Sequence, residues 1–358
     1  MSHPYRSLPD AAFWRRAVAA PAPGEVDPVA GFPFRIGRHT RVATAGSCFA
    51  QHIARYLKSA GLGYLVTEPG HPVLPEEVRR AHGYGTFSAR YGNIYTARQL
   101  RQLMERAYGR FVPQEPAWVD PNGTVRDPFR PGVQPGGFVS VREMEIDRAQ
   151  HLAAVRRLFE TLDVLVFTLG LTECWEARSD GAVFPLCPGV EGGTFDAARY
   201  AFRNQDVAEV ADDMTAFLDA LAAVNPAASV ILTVSPVPLM ATARADAHVL
   251  SATTYSKSVL RVAAETLARA RANVHYFPSY EIVTGPHAQG AYYADDLRNV
   301  TEAGVAHVMR LFLAHVVEEG AAEVTVPPPS AVERPSGHEA LSRAFVEAEC
   351  DEVALDRG

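Results

Sequence analysis

Thr44-Ala45-Gly46-Ser47-Cys48-Phe49-Ala50 is the stretch whose reading decides the fold. It follows a short apolar run, Val42-Ala43, and opens a helical pattern. Apolar residues recur at Phe49, Ile53 and Leu57, with Ala50 and Ala54 beside them, which is the spacing of one helical face. Ser59, Ala60 and Gly61 follow, where a helix would stop. Ser47 therefore stands at a strand-to-helix turn. A serine there has two possible jobs. Its hydroxyl can cap the first turn. Alternatively it is a nucleophile, with the N–H groups of the helix start ready to hold an oxyanion.

The same alternation continues outward. Tyr64–Thr67 reads as a second strand. A helix starts near Pro75, the segment 83–95 is a glycine- and aromatic-rich loop, and Thr96 caps a helix carrying Leu100, Leu103 and Met104. Pro113 to Gly137 is rich in Pro and Gly and reads as an excursion. Asp147 to Thr161 is helical by pattern. Val164–Thr168 and Ser229–Val234 are continuous apolar runs, as in strands buried on both faces of a parallel sheet. Val207–Val224, Ser251–Ala270 and Val300–Val317 read as helices and Val274–Phe277 as a strand. The last helix shows Val305, Val308, Phe312 and Val316 along one face. This order predicts an α/β fold: a doubly wound, flavodoxin-like, mostly parallel sheet flanked by helices. The predicted organisation is an arm over residues 1–40 that packs on the body through Phe13 and Trp14, an α/β domain over 41–322 with an irregular excursion at about 69–160, and an acidic, flexible tail over 323–358.

Composition narrows the function classes. The 358 residues are 47% hydrophobic and 21% charged, with a net charge of −7, which disfavours a polyanion such as nucleic acid as partner. No window has the length of a membrane span or a signal-peptide core, so a cytoplasmic protein with no membrane partner is expected. Cys48, Cys174, Cys187 and Cys350 lack metal-site spacing and read as reduced small hydrophobes. No metal, nucleotide or other cofactor is expected, and an oligomeric state is not readable.

The opening stretch resembles the signature of the GSCFA family, a branch of the SGNH (GDSL-like) hydrolase superfamily. Arg90–Thr96, Phe167–Trp175, Leu232–Leu239, Tyr255–Arg261 and Tyr276–Ile282 are similar to that family's segments and stand in its order. The resemblance implies an SGNH-hydrolase-like three-layer α/β/α domain. It also implies a serine-dependent acyl hydrolase or acyltransferase (an esterase-type enzyme) that acts on a small O-acylated molecule or carbohydrate through an acyl-Ser47 intermediate.

Carried over residue by residue, the resemblance makes Ser47 the nucleophile and its N–H, with Gly92 and Asn93, the oxyanion donors. Where many SGNH enzymes have Gly-x-Asn-Asp, this chain has Gly170-Leu171-Thr172-Glu173. Thr172 is then a further donor, and Glu173 a substrate ligand or an arginine's partner. Where the superfamily has Asp-x-x-His, the chain reads Asp296-Leu297-Arg298-Asn299. An asparagine amide takes no proton near neutral pH, so Asn299 cannot be the base. His248, in a loop after a predicted strand, is the leading substitute, oriented by Asp296. His287 also falls in such a loop. His52 lies too far along its helix, His275 is within a strand, His307 points away from the buried stripe and His315 sits at the core edge. Cys48 is a weaker nucleophile candidate. Lys257 stands about 100° from Ser256 on a helix, so it does not activate that serine; it binds an anion or faces solvent. The alternative is a catalytically impaired SGNH-like protein that binds a glycan or acylated metabolite through Asn93, Glu173, Arg298 and the loop around Tyr84 and Tyr91. A third reading is a partner-dependent protein that uses the arm and the tail.

Overall fold

The computed structural model describes residues 3–322 and 351–356. The chain forms β1 (Val42–Gly46), α1 (Phe49–Ser59), α2 (Glu76–Ala81), α3 (Ala97–Ala107), β2 (Trp118–Val119), β3 (Val125–Arg126), α4 (Val141–Thr161), β4 (Val164–Leu169), β5 (Glu173–Ala177) and β6 (Val183–Phe184). There follow β7 (Tyr200–Asn204), α5 (Val207–Val224), β8 (Ser229–Val234), α6 (Val249–Ala270), β9 (Val274–Tyr276), α7 (Ser279–Thr284) and α8 (Glu302–Val316).

β1, β4, β8 and β9 make a parallel sheet in that order. Alternate residues of each strand enter opposite faces. Ala43, Leu165, Phe167, Val230 and Leu232 pack with α3, α4, α5 and α6. Val42, Val164, Val166 and Ile231 pack with α1 and α8. Helices thus cover both faces, and the apolar runs are buried throughout because neither face meets water.

Tyr64 makes only a single parallel bridge to Val42, with Leu65 N donating to Val42 O at 2.8 Å. The predicted strand at 64–67 is reduced to that bridge. It nevertheless lies on the edge of β1 opposite β4. The chain therefore leaves β1 toward one side for residue 64 and toward the other for β4. β1 is the switch point of the sheet, and its carboxyl end opens into the crevice where such folds bind ligands.

The excursion is more structured than its composition suggests. Within it β2 pairs with β3, and beyond it, after β4, β5 pairs with β6 and β7 in a separate antiparallel sheet. These strands are short and lack the long apolar runs of the central sheet, so periodicity does not mark them. Buried ion pairs tie the excursion down. Asp127 receives Arg130 and Arg148, while Asp147 receives Arg90 and Arg130. α4 begins at Val141, six residues earlier than its apolar pattern, because Ser140 Oγ accepts from Glu143 N at 3.2 Å and starts the helix with a cap.

The arm docks along α8, and Trp14, one of its two expected anchors, stays outside the contact. Trp14 is 65% exposed. Val26, Val29 and Ile36 are buried, and Ile36 N donates to Val316 O at 2.7 Å. This contact also corrects His307. Its ring is buried, because the arm covers the face on which it projects. Nε2 donates to Val26 O at 3.0 Å and Nδ1 accepts from Tyr292 Oη at 2.8 Å. Of the predicted tail, residues 323–350 lie outside the described residues. Asp351–Asp356, by contrast, is a 3₁₀ helix docked on the domain.

Candidate active site

Gly46 ends β1 at φ +136°. A Cβ there would lie 2.4 Å from Thr168 O on the neighbouring strand, so only glycine lets β1 turn this closely past β4. The turn delivers Ser47. Its N–H donates to Thr168 O at 3.2 Å, which commits the group expected at the oxyanion to the sheet edge. Its Oγ is buried and has no hydrogen-bond partner among the described residues. The capping role is therefore not the one Ser47 fills; the N-cap residue of α1 is Cys48, whose side chain makes no capping bond. A buried hydroxyl without a partner is costly, and here it lies at the sheet's carboxyl edge.

Two loops close around this turn. Ile94 N donates to Gly46 O at 2.8 Å, bringing in the 91–95 segment. Gly170 N and Leu171 N both donate to Tyr95 O at 3.0 Å, joining that segment to the loop after β4. Gly170 is packed so closely that a Cβ would sit 2.9 Å from Tyr95 O and 3.0 Å from Ser47 Cβ. The carbonyl of Gly170 accepts from Lys257 Nζ at 2.5 Å. Lys257 is 2% exposed, and burial lowers the pKa of its ammonium while the Glu352 carboxylate opposes that shift. Sequence reasoning missed this lysine. By position on its helix it reads as an anion ligand or a solvent-facing residue, whereas the tertiary fold buries it against the Gly170 carbonyl. Ser256 Oγ instead accepts from Thr172 N at 3.0 Å.

The other expected site residues divide. Gly92 adopts φ +68°, a left-handed turn that glycine enters without strain, and it positions buried Asn93. Asn93 Oδ1 accepts from Gln51 Nε2 at 3.3 Å, and its Nδ2 donates to Asp351 Oδ2 at 3.0 Å. Arg298 is buried and pairs with Glu352 at 2.8 Å, through Nη2. Its Nε is buried without a partner among the described residues. Asp351 and Glu352 escaped the sequence reading because they lie far along the chain in a segment that reads as solvated.

Thr172 is engaged with Asn204, whereas Glu173 lines a cavity that Glu352 also lines. Thr172 Oγ1 donates to Asn204 Oδ1 at 2.6 Å. Glu173 accepts from Thr242 Oγ1 at 2.7 Å and Ala243 N at 3.3 Å; burial raises its pKa. Asp296 and Asn299 form a closed turn: Asp296 accepts from Arg298 N, Asn299 N and Asn299 Nδ2, the last at 2.6 Å. His248 is exposed at the N-terminus of α6, and its Nδ1 accepts from Leu250 N at 3.1 Å. That places it as a helix cap and not beside Ser47. No histidine hydrogen-bonds to Ser47 among the described residues. His275 packs at a tilt against Phe32 and Phe34, and His315 Nε2 bonds Asp27.

The cysteine expectation needs correction. Cys174 and Cys187 are free, but Cys48 is disulfide-bonded and so is no candidate nucleophile in this state. Cys350 lies outside the described residues. No helix among the described residues is long and apolar enough to cross a membrane.

Fold and site together define an α/β protein with a serine at the carboxyl end of its first sheet strand, at the switch point of a parallel sheet. The chain belongs to the GSCFA family, whose family model matches residues 41–312. No curated protein and no solved structure matches it.

Proposed function

We propose that this protein is a serine acyl hydrolase or acyltransferase of SGNH type, with Ser47 as nucleophile. The observation that carries the reading is the buried, unpartnered Ser47 Oγ at the switch point of the sheet. The substrate class is a small O-acylated molecule or carbohydrate. Asn93 Nδ2 is the oxyanion donor this reading names, and it already holds a carboxylate oxygen of Asp351.

The base is Lys257 in place of His248. Burial favours its neutral amine, and Gly170, which accepts its hydrogen bond, packs on Ser47. The amine takes the Oγ proton as Oγ bonds the acyl carbon and the carbonyl electron pair moves onto oxygen. When the tetrahedral adduct collapses, the bond to the leaving oxygen breaks and that oxygen takes the proton from the Lys257 ammonium. Water or a second hydroxyl then repeats the sequence on acyl-Ser47, giving hydrolysis or transfer.

Labelling by a fluorophosphonate, located by mass spectrometry, tests this. The expected adduct is on Ser47 and is absent in Ser47→Ala. In Lys257→Met the labelling rate falls by ~10²–10⁴. In the unsubstituted chain the rate rises with pH at a midpoint below the usual lysine range. Unchanged Ser47 labelling in folded Lys257→Met and Lys257→Gln removes Lys257 as base. No labelling of the folded, unsubstituted chain removes the enzyme reading.

One observation favours a second reading. Asp296 bonds Asn299 in the position of the superfamily's Asp–His pair, and no histidine bonds Ser47 among the described residues. A binding protein for a glycan or acylated metabolite would keep the crevice without turnover. Calorimetric titration with acylated sugars would then show binding without consumption.

A further inference from the structure

The 3₁₀ helix Asp351–Asp356 docks on Asn93 and Arg298 and leaves a record of what that crevice accepts. A 3₁₀ helix has three residues per turn, so residues three apart stand above one another. Glu352 and Leu355 therefore share a face. Both line a cavity of about 260 Å³ whose wall includes Tyr95, Leu171, Trp175, Leu186 and Leu239. Glu352 carries its carboxylate to Arg298 at 2.8 Å, while Leu355 adds an aliphatic side chain to a wall that is largely apolar apart from Glu173 and Thr242.

Arg298 has no other acidic side-chain partner within ion-pair distance among the described residues. A guanidinium that is 8% exposed, without an anion, is a costly arrangement. The pocket thus calls for a carboxylate or a similar anion. Glu352 meets the need incompletely. It engages Nη2 and leaves Nε buried and unpartnered, whereas a carboxylate that approaches side-on takes both nitrogens. Asn93 Nδ2 holds the neighbouring Asp351 carboxylate at 3.0 Å. The segment therefore presents one carboxylate to Asn93, and a second carboxylate with an aliphatic side chain to Arg298 and the cavity.

We infer that Arg298 and the adjoining apolar cavity form a subsite for an acyl compound bearing a carboxylate and an apolar arm, and that Asp351–Asp356 occupies this subsite as an internal stand-in. The inference deepens the acyl-transfer reading and rests on it for the word "acyl". The subsite itself is defined by binding alone. Ligand and tail compete, so the apparent affinity of any such ligand is reduced by the fraction of molecules in which the tail is docked.

The test is calorimetric titration of the full chain with octanoate, a carboxylate with an apolar arm, and with 1-octanol as the uncharged match. Glu352→Gln weakens the tail's hold and is expected to bind octanoate at least ~10-fold more tightly than the unsubstituted chain. Arg298→Met in that background is expected to abolish the gain for octanoate and leave octanol binding unaltered. Arg298→Lys keeps the charge and restores part of the gain, which separates charge recognition from a folding defect. Equal octanoate affinity with and without Glu352, or octanoate binding indifferent to Arg298→Met, overturns the inference. Fluorophosphonate labelling on the same samples keeps the two readings apart. Arg298-dependent octanoate binding without Ser47 labelling retains the carboxylate subsite and removes the acyl chemistry. Ser47 labelling with Arg298-indifferent binding does the reverse.

Discussion

Replacing Gly46 with alanine probes the turn that presents Ser47. The added methyl carbon would lie 2.4 Å from Thr168 O, 2.7 Å from Thr168 N and 2.8 Å from Thr168 Cβ. Two of these atoms are backbone atoms of β4, a strand paired on both sides, so they have little room to yield. The φ of +136° is a second difficulty for an L side chain. Backbone strain of this kind costs about 1–3 kcal/mol, and overpacking at a rigid site adds about 1–3 kcal/mol. The expected loss is therefore roughly 2–6 kcal/mol, a large share of the ~5–15 kcal/mol that holds an ordinary domain. Gly109→Ala is the control. Gly109 has φ +67° with no atom within 4 Å of an added Cβ, so it incurs strain alone, ~1–2 kcal/mol. Equilibrium urea denaturation of the two variants gives both numbers. If Gly46→Ala costs no more than Gly109→Ala, the close approach of β1 and β4 is not what makes residue 46 a glycine, and the account of the turn fails.

Other expectations follow from the same geometry. Gly170→Ala places a methyl 2.9 Å from Tyr95 O and 3.0 Å from Ser47 Cβ; it is expected to slow fluorophosphonate labelling of Ser47 more than it lowers the melting temperature, and the reverse order would mean that Gly170 serves only packing. His248→Ala removes a cap and is expected to cost ~1 kcal/mol in urea denaturation; loss of Ser47 labelling in that variant would restore His248 to the chemistry. Stability is expected to fall on acidification in two stages. Burial lowers the His151 pKa from 6.5 to about 4, so its contribution is complete above pH 6.5 and is lost as pH falls toward 4. Contact with His151 and the Arg90 backbone N–H lowers Glu68, against the opposing effect of burial, from 4.5 to about 2, so its contribution is complete above 4.5 and is lost below it. Urea midpoints measured from pH 7 to 3 check both stages, and a flat profile between 6.5 and 4.5 in which His151→Gln changes nothing would contradict the first.

How much was legible depends on the range of the interaction concerned. The central strands announce themselves because a strand buried on both faces must be apolar at every position; Ser229–Val234 is found where its apolar run lies. α5 coincides with its pattern because Asp206 caps it and Glu209 completes the box. The small strands β5, β6 and β7 were not visible, since each is stabilised by a partner distant in sequence. The His307 error has the same origin: one helix predicts which way a side chain points, not what another segment brings to meet it.

The sequence by itself determined the parallel α/β architecture and the place of Ser47 at its first strand-to-helix turn, because apolar periodicity and the Gly-Ser junction are local properties. It also marked a turn at Gly92-Asn93, where Gly92 is left-handed. Only the tertiary structure decided what surrounds Ser47. It set Lys257 against the Gly170 carbonyl, moved His248 into a cap, closed Asp296 on Asn299 and brought Glu352 to Arg298. These outcomes depend on contacts between residues dozens to hundreds of positions apart, or on side-chain bonding that periodicity does not encode. Burial then gives each of them its chemistry, since a charge inside a protein needs a partner that its neighbours in the chain do not have to supply.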